Sequence, residues 1–292
     1  MKSAPLHERK TEQANFPEYS LFRAVCSSGL SKMRPLRGIR DVKDQWGWNF
    51  GCGWPPSYWA YGRMRAMMTM LEATSLNPRS VLEVAAGDAS LSACLELTGC
   101  RVVANDLRGE HLEEAIGNFA NAEDIQRLPG NLFDLEPSAT GYFDLVTACE
   151  IIEHVAHTVD FLRQLKRFLN PGGHILVTTP NGSYFRNTLP THSEIRDFDA
   201  LESHQFRPDS DGHLFLITPR EMANLARNAG LMVERMTLWG TPVMTGHVGL
   251  ATLASRSACW TCYQLERLSQ KLPFAIKEKA CFSLLAVLAP LR

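Results

Sequence analysis

The sequence has no excess of charge of either sign. Its 292 residues include 30 lysines and arginines and 31 aspartates and glutamates, which gives a formal net charge of −1. A protein dedicated to nucleic acids or to anionic membranes usually carries a basic excess or a basic stripe. The balance therefore argues against either one as the main ligand, although it leaves room for a small basic cleft.

Long apolar segments are also absent. A membrane-spanning helix needs roughly 20 apolar residues, whereas the longest apolar run here is a short one within ACFSLLAVLAP, residues 280–290. The first residues, MKSAPLHERKTEQANF, lack the apolar segment of a secretory signal peptide. Because the eight cysteines are also spread along the chain, we expect a cytoplasmic protein with mostly structural thiols and no stable membrane anchoring.

Strand and helix signals alternate along the middle of the chain. Strands are indicated at 80–86, 101–106, 126–130, 142–150 and 173–180, and helices at 57–73, 90–99, 108–122 and 157–169. Strands that alternate with helices of this length are typical of a parallel sheet with helices on both faces. The sequence therefore predicts an α/β fold.

The alternation changes after the strand that ends at Pro180. Residues 181–217 are polar and aromatic without a clear period, and a loop of this length usually carries function. Thr218 and Glu221 form a capping box, which predicts a helix over 218–229. The remaining predicted elements are a strand at 231–240, a helical insertion at about 252–271 and a last segment within 280–290. This last run is short and follows the sheet rhythm, which favours a buried strand over a membrane-surface helix.

The end of the first strand has the features of a nucleoside site. The segment Val81–Ala89 reads VLEVAAGDA, a buried strand followed by small residues that let the backbone approach a ligand. Ligands of doubly wound sheets bind beyond the carboxyl ends of the strands, and Asp106 at the end of the next strand can accept both hydroxyls of a ribose. The phosphate fingerprint G-x-G-x-x-G is absent, and Asp88 would repel a pyrophosphate. These features disfavour NAD and FAD and favour a nucleoside cofactor without phosphates.

Six sequence blocks follow one another in a characteristic order between about Arg65 and Gly230. They are VLEVAAGDAS, RVVANDL, Gly130-Asn131-Leu132, FDLVTACEIIEHV, LKRFLNPGGHILVTTPN and HLFLITPREMANLARNAGLMVERM. This order resembles the class I S-adenosylmethionine-dependent methyltransferases, particularly the branch of the ubiquinone-biosynthesis O-methyltransferases. The resemblance implies a doubly wound, seven-stranded, mostly parallel Rossmann-like sheet with an antiparallel last strand. It also implies one methyltransferase domain over 57–292, preceded by a leader or lid at 1–56.

The resemblance further assigns cofactor contacts. Ala85 and Gly87 would pass under the methionine part of S-adenosylmethionine, and Asp106 would hold the ribose. Glu83 and Leu107 are further cofactor-binding candidates. Asn131 would contact the adenine amine and Leu132 would pack on the ring, and Cys149 and Glu150 would border the sulfonium. Arg65 would lie either toward the cofactor carboxylate or at the edge of the core. The family usually has glycine where this chain has Ala85 and Ala89, and aspartate at the position of Asn131.

Two carboxylates and two imidazoles form a second cluster. Glu150 and Glu153 are three residues apart and so would share a face of a helical turn, His154 follows them, and His213 lies in the segment before the capping box. In ubiquinone-pathway enzymes and in 2′-O-methyltransferases of small-RNA 3′ ends, a similar arrangement is associated with a divalent metal. The resemblance thus implies Mg²⁺, Mn²⁺ or Zn²⁺, which would lower the pKa of an acceptor hydroxyl. Two other interpretations stay open: His154 and Glu153 as a metal-free general base, and a structural role for both.

The leading functional hypothesis is O-methylation of a small-molecule acceptor with neighbouring hydroxyls. N- or C-methylation of a natural product or a lipid-linked precursor stays open, as do RNA methylation and an inactive binding protein, which the alanines of the loop suggest. On the acceptor side we expect the segments 181–217 and 252–271, with Trp54, His204 and His213 as substrate contacts. The sequence does not define the oligomeric state.

Overall fold

The computed structural model describes residues 59–96, 98–117, 124–205, 212–245 and 258–291. The leader 1–56, with its substrate candidate Trp54, and residues 252–257 of the predicted insertion lie outside the described residues. Within the described part of the chain, no helix combines the length and the hydropathy that crossing a bilayer requires.

Seven strands form one sheet in the order β3-β2-β1-β4-β5-β7-β6. They are β1 Ser80–Val84, β2 Arg101–Asp106, β3 Gln126–Pro129, β4 Phe143–Cys149, β5 Leu169–Pro180, β6 Leu231–Trp239 and β7 Ser283–Pro290. The strands from β3 to β5 pair in parallel, whereas β7 runs antiparallel to both of its neighbours. The predicted doubly wound sheet with an antiparallel last strand is therefore confirmed.

Helices cover both faces of this sheet. The α-helices of the described residues are α1 Trp59–Ser75, α2 Ser90–Glu96, α3 Gly109–Gly117, α4 Pro137–Thr140, α5 Thr158–Arg167, α6 Asp199–Glu202, α7 Pro219–Asn228, α8 Ala258–Ser269 and α9 Phe274–Ala280. The apolar sides of α5 and α7 pack on one face of the sheet, and those of α1, α2 and α3 pack on the other. Strands β1, β4 and β7 are buried on both faces, which explains their nearly continuous apolar sequences.

The structure differs from the predicted elements at three places. The fifth strand begins at Leu169 instead of residue 173, because Leu169 already pairs with Phe143 before the register shifts. Gly173 is required at this shift, since a Cβ there would lie 2.9 Å from the carbonyl oxygen of Phe143. Helix α9 was not predicted, and the segment 181–217 contains two short helical turns and two isolated bridges.

The turns after β1 and β4 use left-handed backbone conformations. Ala85 and Ala89 both have a φ of 55°, Gly87 has 53° and Glu150 has 52°. A left-handed φ costs an L-residue with a Cβ roughly 1–2 kcal/mol. This is the physical reason why the family that the sequence resembles has glycine at the positions of Ala85 and Ala89, and it shows that the two alanines keep the turn at an energetic cost.

Replacement of Ala85 by glycine should raise the free energy of unfolding by about 1 kcal/mol. Relief of the left-handed strain outweighs the larger conformational entropy of glycine in the unfolded chain. Chemical denaturation of both proteins measures the difference. Ala86→Gly is the matched control, because Ala86 is buried and lacks a positive φ, so this change should lower stability. An A85G variant no more stable than the wild type would contradict the assignment of strain.

Candidate active site

The candidate site lies where the carboxyl ends of β1, β2 and β4 meet. Strands β1 and β4 are parallel neighbours, and the chain leaves β1 toward β2 on one side and leaves β4 toward β5 on the other. Such a switch in direction opens a crevice in which doubly wound proteins bind their ligands. The predicted cofactor residues after β1, β2 and β4 are thereby brought to the same edge.

Two acids hold the loop after β1. The carboxylate of Glu83, on β1, accepts hydrogen bonds from the backbone N–H and the hydroxyl of Ser92 at the start of α2. Asp106, at the end of β2, accepts from the backbone N–H of Gly87 at 3.1 Å and from that of Arg108 at 3.1 Å. Glu83 therefore braces the loop, and Asp106 joins the loop to the end of β2.

Burial changes the protonation of Glu83. Removal from water raises the pKa of this carboxyl from 4.5 to about 8, and the nearby carboxylates of Asp88 and Asp106 act in the same direction. The hydrogen bonds from Ser92 lower this pKa but do not cancel the effect of burial. Glu83 is therefore protonated at neutral pH in the protein without cofactor.

Open space lies above this loop. Gly87 is exposed, and a Cβ added to it would have only the carbonyl oxygen of Ala85 within 4 Å, at 4.0 Å. Leu107 is 52% exposed although it follows a buried strand. An accessible loop, an acid at the end of β2 and an exposed apolar side chain beside it fit the ribose and the base of a nucleoside.

The residues predicted at the adenine have different surroundings. Leu132 is buried. The side chain of Asn131 caps the short helical turn Leu132–Asp134: its oxygen accepts from the N–H of Phe133, and its amide donates to Asp134 at 2.9 Å. An adenine contact through the Asn131 amide would have to replace or share this hydrogen bond to Asp134.

Arg65 and Glu150 form a buried pair beside the end of β4. The guanidinium of Arg65 lies 3.4 Å from one carboxylate oxygen of Glu150. Next to it, burial raises the pKa of the Cys149 thiol well above its ordinary value, so this thiol remains protonated. The position of Arg65 fits both predicted roles. The arginine is buried, as expected at the edge of the core, and its contact with Glu150 also places it beside the predicted cofactor site.

A compact cluster lies near this pair and consists of Glu153, His154 and His213. One carboxylate oxygen of Glu153 accepts from the Thr179 hydroxyl at 2.9 Å. The other oxygen, Oε1, is buried without a hydrogen-bond partner and lies 3.9 Å from Nε2 of His154 and 3.8 Å from Nε2 of His213. The three donor atoms lie within 4.8 Å of one another. These three residues could therefore hold a metal ion.

The protonation states in this cluster suit a cation. Burial lowers the pKa of His154 to about 4, and the neighbouring His213 contributes in the same direction. His154 is therefore neutral near pH 7, and its contact with Glu153 is not an ion pair. Burial, reinforced by Glu150, raises the pKa of Glu153 well above its ordinary value. A buried acid without a cation holds its proton, and a bound cation would displace that proton.

Gly212 orients the His154 ring. The ring hydrogen-bonds to the Gly212 backbone, and a Cβ on this glycine would lie 2.5 Å from Nδ1 of His154. We assign the proton to Nδ1, which leaves the lone pair of Nε2 directed at Glu153. Such a backbone hydrogen bond is the usual means by which proteins orient a metal-binding histidine.

Two predicted contacts are not part of this cluster. Glu150 was expected as a metal ligand on a helical turn shared with Glu153, but the turn begins only at Ile152 and Glu150 has a left-handed φ. One of its carboxylate oxygens lies 3.4 Å from the Arg65 guanidinium, and the other is buried without a hydrogen-bond partner, so its role as a metal ligand stays a prediction. His204 is exposed and bonds to Ser203 and to the carbonyl oxygen of Ala200, so its substrate contact stays a prediction.

Sequence reasoning missed three residues of the site: Ser92, Thr179 and Gly212. Ser92 and Thr179 support the two buried acids, and no sequence signal separates them from ordinary core residues. Gly212 could have been found, because a glycine next to a candidate ligand indicates a close approach of the backbone.

Comparisons with known proteins agree with the fold. A family model described as a methyltransferase domain matches residues 58–235. A ubiquinone biosynthesis O-methyltransferase of Acinetobacter baumannii is 30% identical over 169 residues, which cover 56% of this chain and 68% of that protein. One of Xanthomonas oryzae pv. oryzae is 30% identical over 156 residues, or 53% of this chain and 63% of that protein.

A solved structure shares the fold. It comes from Galdieria sulphuraria and is described as a sarcosine dimethylglycine methyltransferase. Its TM-score is 0.50 at 12% sequence identity, over 78% of this chain and 86% of that one. At this identity the likeness shows the fold alone.

The protonation of Glu83 makes the stability of the cofactor-free protein dependent on pH. Its pKa is raised in the folded state, so its contribution to stability is complete below about pH 4.5 and is lost as the pH rises to about 8. Glu83→Gln keeps a neutral side chain at every pH. The variant should therefore lose a downward slope of up to about 1.4 kcal/mol per pH unit between these values.

Urea denaturation at several pH values between 5 and 8 measures this slope. The matched control is Glu110→Gln, because Glu110 is an exposed acid on α3, and its slope should equal that of the wild type. A slope of E83Q identical to the wild-type slope would show that Glu83 is ionised in the folded protein.

Proposed function

Because the chain belongs to the methyltransferase domain family, we propose that it transfers the methyl group of S-adenosylmethionine to a hydroxyl oxygen of a small-molecule acceptor. The chain is an S-adenosylmethionine-dependent methyltransferase. The oxygen, the small acceptor and a divalent metal are the proposal. The observation that carries it is the cluster of Glu153, His154 and His213 at the end of β4.

The cofactor fits the residues of the site. Asp106 would accept the ribose hydroxyls, and its present hydrogen bond from Gly87 keeps the carboxylate at the loop. The open space over Gly87 would admit the methionine part, with Leu107 and Leu132 beside the adenine. S-adenosylmethionine supplies an electrophilic methyl group on a sulfonium. Glu150 and Cys149 would border that cation, and Arg65 holds the Glu150 carboxylate in place.

A divalent metal also fits. The neutral imidazole of His154, the imidazole of His213 and the Oε1 atom of Glu153, which is buried without a hydrogen-bond partner, supply three ligand atoms, which leaves further positions for an acceptor. Nitrogen-rich ligand sets favour Zn²⁺ or Mn²⁺ over Mg²⁺. A metal at this place would lower the pKa of a bound hydroxyl, and two neighbouring hydroxyls could bind together. The chain itself would orient the acceptor oxygen toward the methyl group.

The metal-free alternatives are less well supported. A histidine with a pKa of about 4 is a weak base for a phenol or an alcohol, since an efficient general base has a pKa near the working pH. A structural role for Glu153 accounts for its bond to Thr179 but not for its unpartnered oxygen.

Other readings of the function also have less support. An inactive protein is disfavoured because Ala85 and Ala89 keep the left-handed conformation of the cofactor loop. The balanced charge, −1 over the whole chain, favours a small acceptor over RNA. N- or C-methylation and the cytoplasmic location stay predictions.

Asp106→Ala should weaken S-adenosylmethionine binding by about 100-fold or more, because two hydrogen bonds to a charged group are lost. Isothermal titration calorimetry measures the affinity. Asp160→Ala is the matched control, since Asp160 is an exposed acid on α5 and its loss should not change binding. Equal affinities of wild type and D106A would overturn the ribose assignment.

The metal and the acceptor are tested together. Wild-type protein should hold about one equivalent of Zn²⁺ or Mn²⁺ by elemental mass spectrometry and should methylate a catechol more than 10-fold faster than a phenol with one hydroxyl. Chelation should remove both properties while S-adenosylmethionine still binds. His154→Ala and His213→Ala should do the same, and both side chains are only partly buried.

His204→Ala should keep the metal, because His204 is exposed and hydrogen-bonded within its own turn. Full catechol turnover after complete removal of metal would reject the proposed role of a metal in the reaction. Turnover of amines but of no hydroxyl compound would reject O-methylation and leave the methyltransferase assignment intact.

A further inference from the structure

The connection between β6 and β7 is far longer than the sheet requires. These strands are antiparallel neighbours, and Trp239 at the end of β6 pairs with Ser283 at the start of β7. A hairpin of two residues can join such strands. Here residues 240–282 lie between them, including helices α8 and α9. An insertion of this size on a complete sheet calls for a role beyond the sheet itself.

One side of α8 is fixed to the domain. Glu266 is fully buried and accepts hydrogen bonds from the backbone N–H groups of Gly240, at 2.9 Å, and Thr241, at 2.8 Å. Tyr263 and Ser269, three residues before and after it, are also buried. The opposite side of the helix therefore has a defined orientation and faces outward.

That outward side is apolar. Ten large hydrophobic residues of the described part of the chain are exposed, and five of them lie within the 17-residue stretch 260–276, which covers most of α8, the turn after it and the start of α9. We call these five the α8–α9 face, and they are Trp260, Leu265, Leu268, Leu272 and Ile276, each between 41% and 56% exposed. Soluble proteins seldom concentrate exposed apolar side chains in this way unless the surface binds a partner.

The exposed charges of α8, of α9 and of the turn between them have one sign. Arg267, Lys271 and Lys279 are exposed. Neither acid of the two helices is exposed, because Glu266 is buried and Glu278 is half-buried and accepts from Ser183. The near-zero net charge of the whole chain therefore conceals a local basic and apolar surface.

We propose that the α8–α9 face binds the surface of an anionic lipid bilayer. An apolar helix side bordered by lysine and arginine is the composition that lies in the headgroup region of such a membrane. A second copy of the chain fits less well, because two copies would bring their basic residues together. The binding is peripheral and reversible, and it does not depend on the proposed O-methylation.

The same surface continues toward the acceptor side. The backbone N–H of Phe185 donates to the carbonyl oxygen of Lys279, at the end of α9. Phe185 is itself exposed, and so is Leu189 in the same segment. The membrane-binding surface therefore includes part of the segment predicted to contact the acceptor.

Co-sedimentation of the full-length protein with vesicles tests the proposal. Vesicles of phosphatidylcholine with about one third phosphatidylglycerol should bind the protein, and vesicles of phosphatidylcholine alone should bind it at least 10-fold more weakly. Leu268→Asp should reduce binding by 10-fold or more. Lys271→Glu should reduce it at least about fivefold, and added salt should weaken wild-type binding.

Two variants away from the face are matched controls. Leu291→Asp places the same charge on an exposed leucine after β7, and Arg227→Glu reverses an exposed charge at the end of α7. Both should bind vesicles as the wild type does. Calorimetric binding of S-adenosylmethionine shows that each variant is folded.

Three results would overturn the proposal. They are wild-type protein that does not sediment with the anionic vesicles, binding that is equal for both vesicle types, and equal losses in the face and control variants. A wild-type dimer that L268D converts to a monomer, without vesicle binding, would assign the face to a second copy of the chain. Absent methylation of hydroxyl compounds would leave the vesicle result unaffected.

Discussion

The parallel pairing of β1 with β4 is the constraint on which the rest of the site depends. Val81 to Val84 align with Leu145 to Ala148 along the centre of the sheet, so both strands end at the same edge. Each is followed by a left-handed residue, Ala85 in one case and Glu150 shortly after the other. These two turns bring the cofactor loop and the acidic cluster together, and neither group would reach the other without this register.

The same arrangement places several acids in a region that excludes water. Glu83 and Glu153 are both buried, and burial raises the pKa of each. The free protein satisfies them only in part, with protons, with the Ser92 and Thr179 hydroxyls and, at Glu150, with Arg65, because one oxygen of Glu150 and one of Glu153 stay buried without a hydrogen-bond partner. A site that holds protons in this way is suited to ligands that bring positive charge, and both a sulfonium and a divalent metal do so.

Much of the fold could be predicted from the sequence, because buried parallel strands and amphipathic helices leave periodic patterns. The antiparallel last strand, the capping box at Thr218 and the cofactor loop all followed from local residues or from the order of motifs. The site was harder to predict. Glu150 was grouped with Glu153 by a helical spacing that the left-handed turn breaks, and the contact of Gly212 with His154 depends on a chain return that no local pattern encodes.

That return completes the site. Leu214 donates its N–H to the carbonyl oxygen of Glu153, and Gly212 lies against His154, although about 60 residues separate the two segments in sequence. The loop between them is about as long as the one between Val81 and Leu145, which align in the central strands, so its closure carries a similar entropic cost. His213 reaches the cluster only because this segment docks. A change that loosens residues 212–214 would therefore remove one side chain of the cluster while the cofactor loop after β1 stays in place.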